Sequence, residues 1–89
     1  MMRIEMDGRK MYTMQEAHRY LKEQFNLPDY YGSNPDALYD CLTEKGEQMY
    51  VIFRYKQAML NALGAYGQTL LDVLRDTATE NPSFILVEQ

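Results

Sequence analysis

In the stretch from Asn34 to Leu42, Asp36 and Asp40 stand four residues apart, with Tyr39 beside the second. At 100° per residue, Asp36, Tyr39, Asp40 and Thr43 share one arc of a helix, and Ala37, Leu38, Cys41 and Leu42 share the opposite arc. The apolar set predicts core, so the acidic set faces outward. Two carboxylates at that spacing admit acid–base chemistry, a weak magnesium site, or an anionic anchor for a basic partner with Tyr39 as apolar contact. Nothing supplies a phosphate loop or a complementary base for the first two, and neither a cofactor nor a catalytic residue is implied. A plainer account also exists for each residue. A carboxylate at Asp36 suits a helix start by about 0.3–1 kcal/mol, Tyr39 flanks the apolar arc and can pack on the core, and Asp40 can be a solvated acid. Asp40 is nevertheless past the first turn, where aspartate is a mediocre helix former. Its nearest base, Lys45, is five residues on rather than three or four.

Asp72, Asp76 and Glu80 form a second acidic stripe at i, i+4, i+8. A solvated face is its default reading, although like charges at that spacing mildly destabilise a helix. His18 falls near Ala17 and Leu21 on an inner face, and with no partner placed for catalysis it reads as a buried or boundary histidine. Cys41 reads as a small core residue. One cysteine and one histidine do not make a typical structural zinc site.

Charge distribution supports the anchor reading. The chain has 89 residues and a net charge of −4. Residues 29–47 and 72–88 together hold nine acids and two bases, whereas the rest of the chain is basic. If the two acidic segments meet in space, they form a face that attracts a basic protein and repels nucleic acid. A single cysteine excludes an internal disulfide and suits a reducing compartment. No stretch approaches the roughly 20 apolar residues of a membrane span. These features predict one soluble, cytoplasmic domain covering residues 1–89, with no direct binding of nucleic acid or membrane.

The elements that must position these residues are legible from periodicity and punctuation. Met2, Ile4 and Met6 alternate with polar residues as in a half-buried strand, ended by Asp7-Gly8. Thr13 and Glu16 predict a capping box for a helix to about Phe25, with Met14, Ala17, Leu21 and Phe25 inward. Residues 26–34 read as a loop in which Gly32 supplies an unusual backbone angle. Asn34 and Pro35 open the second helix. Residues 49–53 predict a strand buried on both faces, residues 56–63 a short helix stopped near Gly64, and residues 68–80 a helix ended by Asn81-Pro82. Residues 84–87 complete the set as an apolar strand. The order implies an α/β fold: a three-stranded parallel sheet packed with about four helices.

The segment LPDYYGSNPDALYDCL, residues 27–42, resembles the hallmark segment of the barstar family of intracellular ribonuclease inhibitors. The likeness is dense over residues 27–43 and looser over the rest of the chain. It implies a three-stranded parallel sheet with helices and a 1:1 complex with a basic, extracellular-type microbial ribonuclease, bound before export. In that family the aspartate at the position of Asp40 takes the place of an RNA phosphate among the nuclease's catalytic groups. The matching positions imply partner contacts at Tyr30, Asp36, Tyr39, Asp40, Thr43 and Asp76, with Glu80 at the rim. The chain departs from the pattern at Pro35, at Tyr39 (a tryptophan in the best-known member), at Lys45 in place of an aromatic, and at Asp76 in place of a longer glutamate. The alternative is a binding module of the same fold whose basic partner is not a ribonuclease.

Overall fold

A computed structural model describes residues 1–89. The chain runs β1 (Met2–Asp7), α1 (Met14–Phe25), α2 (Pro35–Glu44), β2 (Met49–Arg54), α3 (Lys56–Leu63), α4 (Ala65–Glu80) and β3 (Phe84–Glu88), with a 3₁₀ turn at Gly8–Lys10. The strands form one parallel sheet in the order β1-β2-β3. Its register sets Ile4 beside Val51 and Val51 beside Leu86. Each parallel crossover needs a helical connection; α1 and α2 provide the first, α3 and α4 the second. No helix is long and apolar enough to cross a membrane.

The main core lies on one face of the sheet. Ile4, Met6, Met49, Val51, Phe53 and Phe84 point into it and meet Leu21, Phe25, Leu38, Leu42, Leu70, Leu71 and Leu74 from the helices. Burying a leucine of this kind contributes roughly 1.5–3 kcal/mol, so the apolar arcs dominate the placement of α2 and α4. On the opposite face Ile52 is buried, in register between Glu5 and Val87, but it does not join that core. Tyr50 is half-buried and Ile85 exposed there. The expectation of a strand buried on both faces thus holds for Ile52 alone, because the helices stack on the other side.

Local structure departs from the sequence reading at several points. α4 begins at Ala65, three residues before expected, since Gly64 ends α3 and opens α4 at once. Its φ of 59° and ψ of −131° suit glycine and leave no room for a linker. The positive φ of the α1–α2 loop falls on Ser33 and Asn26, not on Gly32. Gly32 is instead crowded, because a Cβ there would meet the Asn34 amide at 3.1 Å. Half of the expected capping box forms: the Thr13 hydroxyl accepts from the Glu16 amide at 3.0 Å, while the Glu16 carboxylate turns to Arg19. Met14 is 53 % exposed and Met2 40 % exposed, so neither belongs to the core. Ala37 and Cys41 pack on the edge of the core, half-buried, rather than inside it.

Candidate functional site

α2 is fixed at both ends and along its floor. The Asn34 side chain accepts from the Ala37 amide at 2.8 Å at the N-terminus, and Pro35 occupies the first turn, where its missing N–H costs nothing. At the other end the buried amide of Asn81 donates to the carbonyls of Leu42 and Lys45 at 3.3 and 3.1 Å. These bonds satisfy carbonyls that a helix terminus leaves open. Leu38 and Leu42 anchor the inner arc. The sequence marked Asn81 only as a helix stop, yet it ties the α4–β3 turn to the end of α2.

α2 packs on α4, and their contact leaves an open cleft of about 450 Å³ lined by Pro35, Asp36, Tyr39, Asp40, Val73 and Asp76. Four of the seven expected contact residues therefore meet in one place. Asp36, Asp40 and Asp76 are exposed, and Tyr39 is half-buried beside Val73. The other three lie outside the cleft. Tyr30, in the α1–α2 loop, is 84 % exposed. Thr43 is half-buried and its hydroxyl donates to the carbonyls of Tyr39 and Asp40 within its own helix. Glu80 is exposed at the last residue of α4.

Ion pairing separates these acids from the rest of the molecule. Glu5, Asp7, Glu16, Glu23, Asp29, Glu47 and Glu88 each sit within salt-bridge distance of a base. Asp36, Asp40 and Glu44 on α2 and Asp72, Asp76 and Glu80 on α4 form no salt bridge. Lys10 is the base without a carboxylate partner, and it lies over the Tyr20 ring. Every uncompensated acid is thus on the two helices that form the cleft. Of the nine acids in the two segments, three are paired: Asp29 with Lys22, Glu47 with Lys45, and, most closely, Glu88. Glu88 sits at the end of β3 and receives both Arg75 and Lys56, at 2.8 and 2.7 Å. The two cations hold its carboxyl down to about 2. Arg75 thus forms its salt bridge with Glu88, and none with Asp72 or Asp76 of its own helix.

Sequence reasoning also left His18 without a partner. It is 3 % exposed, and its ring nitrogens lie 2.6 Å from the hydroxyls of Tyr31 and Tyr66. Tyrosines at two distant positions carry no periodic signal that would link them to it.

The protein is a small α/β domain in which unpaired carboxylates of two helices surround a shallow cleft, and no three of its histidine, cysteine and acidic side chains are grouped so as to hold a metal ion. Residues 1–87 match the family described as "Barstar (barnase inhibitor)". The chain is also 33% identical over 81 residues, 90% of its own length and 89% of the relative's, to "Putative ribonuclease inhibitor YrdF" of Bacillus subtilis (strain 168). The chain belongs to the barstar family, whose proteins are inhibitors rather than enzymes.

Proposed function

We propose that the protein inhibits a basic, extracellular-type ribonuclease in the cytoplasm before export, forming a 1:1 complex that covers the nuclease active site. Membership of the barstar family and the name of the Bacillus relative support a ribonuclease inhibitor. The observation that carries the mechanism is the confinement of all uncompensated acids to α2 and α4, with Asp36, Asp40 and Asp76 around one cleft.

An RNA-binding active site must hold cations for phosphates, and a rigid set of carboxylates meets them without reorganisation. In this reading Asp40 substitutes for a phosphate. Asp36 and Asp76 pair with flanking bases at the helix start and across the cleft. Tyr39 and the exposed Tyr30 supply apolar contact around them, and Thr43 and Glu80 meet the partner at the rim. Because α2 is capped at both ends, its carboxylates are presented at low entropic cost.

The test is a pull-down from the source organism with wild type and Asp40→Asn as baits, followed by a ribonuclease assay of the captured protein after it has been separated from the bait and refolded. A basic ribonuclease retained by wild type and lost by the variant is the expected result. Capture of a basic protein without nuclease activity refutes the ribonuclease reading in favour of a binding module with another partner. Equal capture by both baits removes Asp40 from the centre of the interface.

A further inference from the structure

Asp40 and Asp76 belong to different helices, so the spacing of their carboxylates depends on how α2 sits against α4. The floor of that contact is apolar: Leu38 and Leu42 enter the same core as Leu70, Leu71 and Leu74. Apolar burial is non-directional, and packed helices slide or turn past one another by about 1–2 Å. Electrostatics adds a push. Asp36, Asp40 and Glu44 on one helix and Asp72, Asp76 and Glu80 on the other carry like charge, and none forms a salt bridge.

One side chain supplies direction. Asn81 is 8 % exposed and follows the last residue of α4, and its amide donates to the Lys45 and Leu42 carbonyls at 3.1 and 3.3 Å. No other hydrogen bond or salt bridge joins α2 to another element; the Asn34 cap, the Thr43 hydroxyl and the Lys45 ammonium all bond locally. Asn81 is itself held at its remaining polar atoms. Its backbone N–H donates to the Thr77 carbonyl at 2.8 Å, its carbonyl accepts from the Phe84 amide at 2.9 Å, and its Oδ1 accepts from the Ser83 amide at 3.0 Å. The position calls for a side-chain amide, which donates twice and accepts at once, whereas an aspartate of the same shape has no donor. Counting back from this clamp, Asp40 is five residues before Lys45, and Asp76 is five before Asn81. At a rise of about 1.5 Å per residue, both carboxylates stand roughly 7.5 Å along their helices from one fixed point. Both line the cleft.

We propose that Asn81 is the positioning residue of the acidic cleft: it ties the C-terminal end of α2 to that of α4, and so holds Asp40 opposite Asp76 against the repulsion of the two acidic arcs. This rests on the reading of Asp40 and Asp76 as partner contacts. Asn81 is buried and acts through them.

The orientation of α2 in the free protein tests the clamp without any nuclease. Residual dipolar couplings of amides in α2 are compared with those in α4 and the sheet for wild type, Asn81→Asp and Asn81→Ala. Aspartate keeps the shape and the acceptor for Ser83 and loses both donors; alanine covers the case in which the buried charge prevents folding. Either variant should show α2 turned relative to α4, with α4 and the sheet unchanged. The displacement should shrink at about 0.5 M salt, where the screening length is a few ångströms. An unchanged orientation of α2 overturns the proposal. So does a change spread equally through the sheet, which would make Asn81 a contributor to global stability alone.

Inhibition of barnase, the enzyme in the family's description, provides the second arm, measured where each variant is fully folded. Asn81→Ala should weaken inhibition by about two- to tenfold, the equivalent of one net hydrogen bond. Asn81→Asp should weaken it too, although its added charge favours a basic partner. In an Asp76→Ala background the loss from Asn81→Ala should be smaller, because the alignment it protects has lost one of its two members. Losses that multiply independently, or inhibition unchanged by Asn81→Ala, refute the positioning role. A wild type that fails to inhibit barnase counts against the inhibitor reading for that enzyme, and the orientation of α2 still decides the clamp.

Discussion

Replacing Asp40 by asparagine separates a binding acid from a structural one, because the two roles predict opposite signs for stability. The carboxylate of Asp40 accepts no hydrogen bond within the protein and pairs with no base, since Lys45 turns to Glu47 at 3.6 Å. Its removal costs no internal contact. It relieves a like-charge i,i+4 pair with Asp36, a gain of about 0.2–0.5 kcal/mol. For a domain of this size about 1 kcal/mol moves Tm by roughly 4–8 °C. Asp40→Asn should therefore melt up to about 4 °C higher than wild type. Its effect on inhibition should be opposite and far larger. A cation of the nuclease buried against an amide is left uncompensated, at about 3–5 kcal/mol. At 1.4 kcal/mol per factor of ten, inhibition weakens by about 10²- to 10³-fold or more. Calorimetry and steady-state inhibition of the captured ribonuclease measure the two quantities on one preparation. A fall in Tm of several degrees, or a loss of inhibition no larger than that of Glu80→Ala, refutes the reasoning. The Glu80 variant should lose less than about fivefold, as rim charges do.

Other perturbations probe the supports of the cleft. Glu88→Gln removes the acceptor shared by Arg75 and Lys56; a shift from 4.5 to about 2 sets a ceiling near ~3 kcal/mol, and solvent access brings the expected loss to roughly 1–2 kcal/mol in urea unfolding. Because its folded-state value is depressed, this stabilisation is complete above pH 4.5 and fades as the pH falls toward about 2, a decline that Glu88→Gln should flatten. Asn34→Ala deletes the α2 cap and should cost about 0.5–2 kcal/mol by denaturant titration, with faster exchange confined first to the start of that helix. Gly8→Ala would drive a Cβ into the Tyr55 carbonyl oxygen, so a loss of about 1–3 kcal/mol or failure to express is expected. Stopped-flow association with the nuclease should slow steeply between low and 0.5 M salt, since the screening length falls to a few ångströms.

The elements themselves were legible in the sequence because period and punctuation act through neighbouring residues. The alternation of Met2, Ile4 and Met6 marked β1, and Asn34-Pro35 marked the start of α2 within one residue. The segregation of Leu38 and Leu42 from Asp36 and Asp40 is likewise a property of one helix turned on itself, and the hallmark segment carried the family. Where the sequence misled, two plausible local choices competed. Ser33 rather than Gly32 takes the left-handed angle, and Gly64 serves two helices where a short linker was expected.

What depends on elements meeting in space was decided by the tertiary structure alone. Asp76 faces Asp40 across a cleft because the apolar arcs of α2 and α4 pack together, a fact that no spacing within either helix contains. Glu88, counted among the acids of one segment, is carried by the sheet to Arg75 and Lys56 and ceases to be a free charge. His18 acquires Tyr31 and Tyr66, and Asn81 acquires the end of α2, through contacts between residues 13 to 48 positions apart. Helical and strand periods are properties of the local backbone, so the sequence can state them. Whether a charge or a ring nitrogen finds a partner depends on which faces the core brings together.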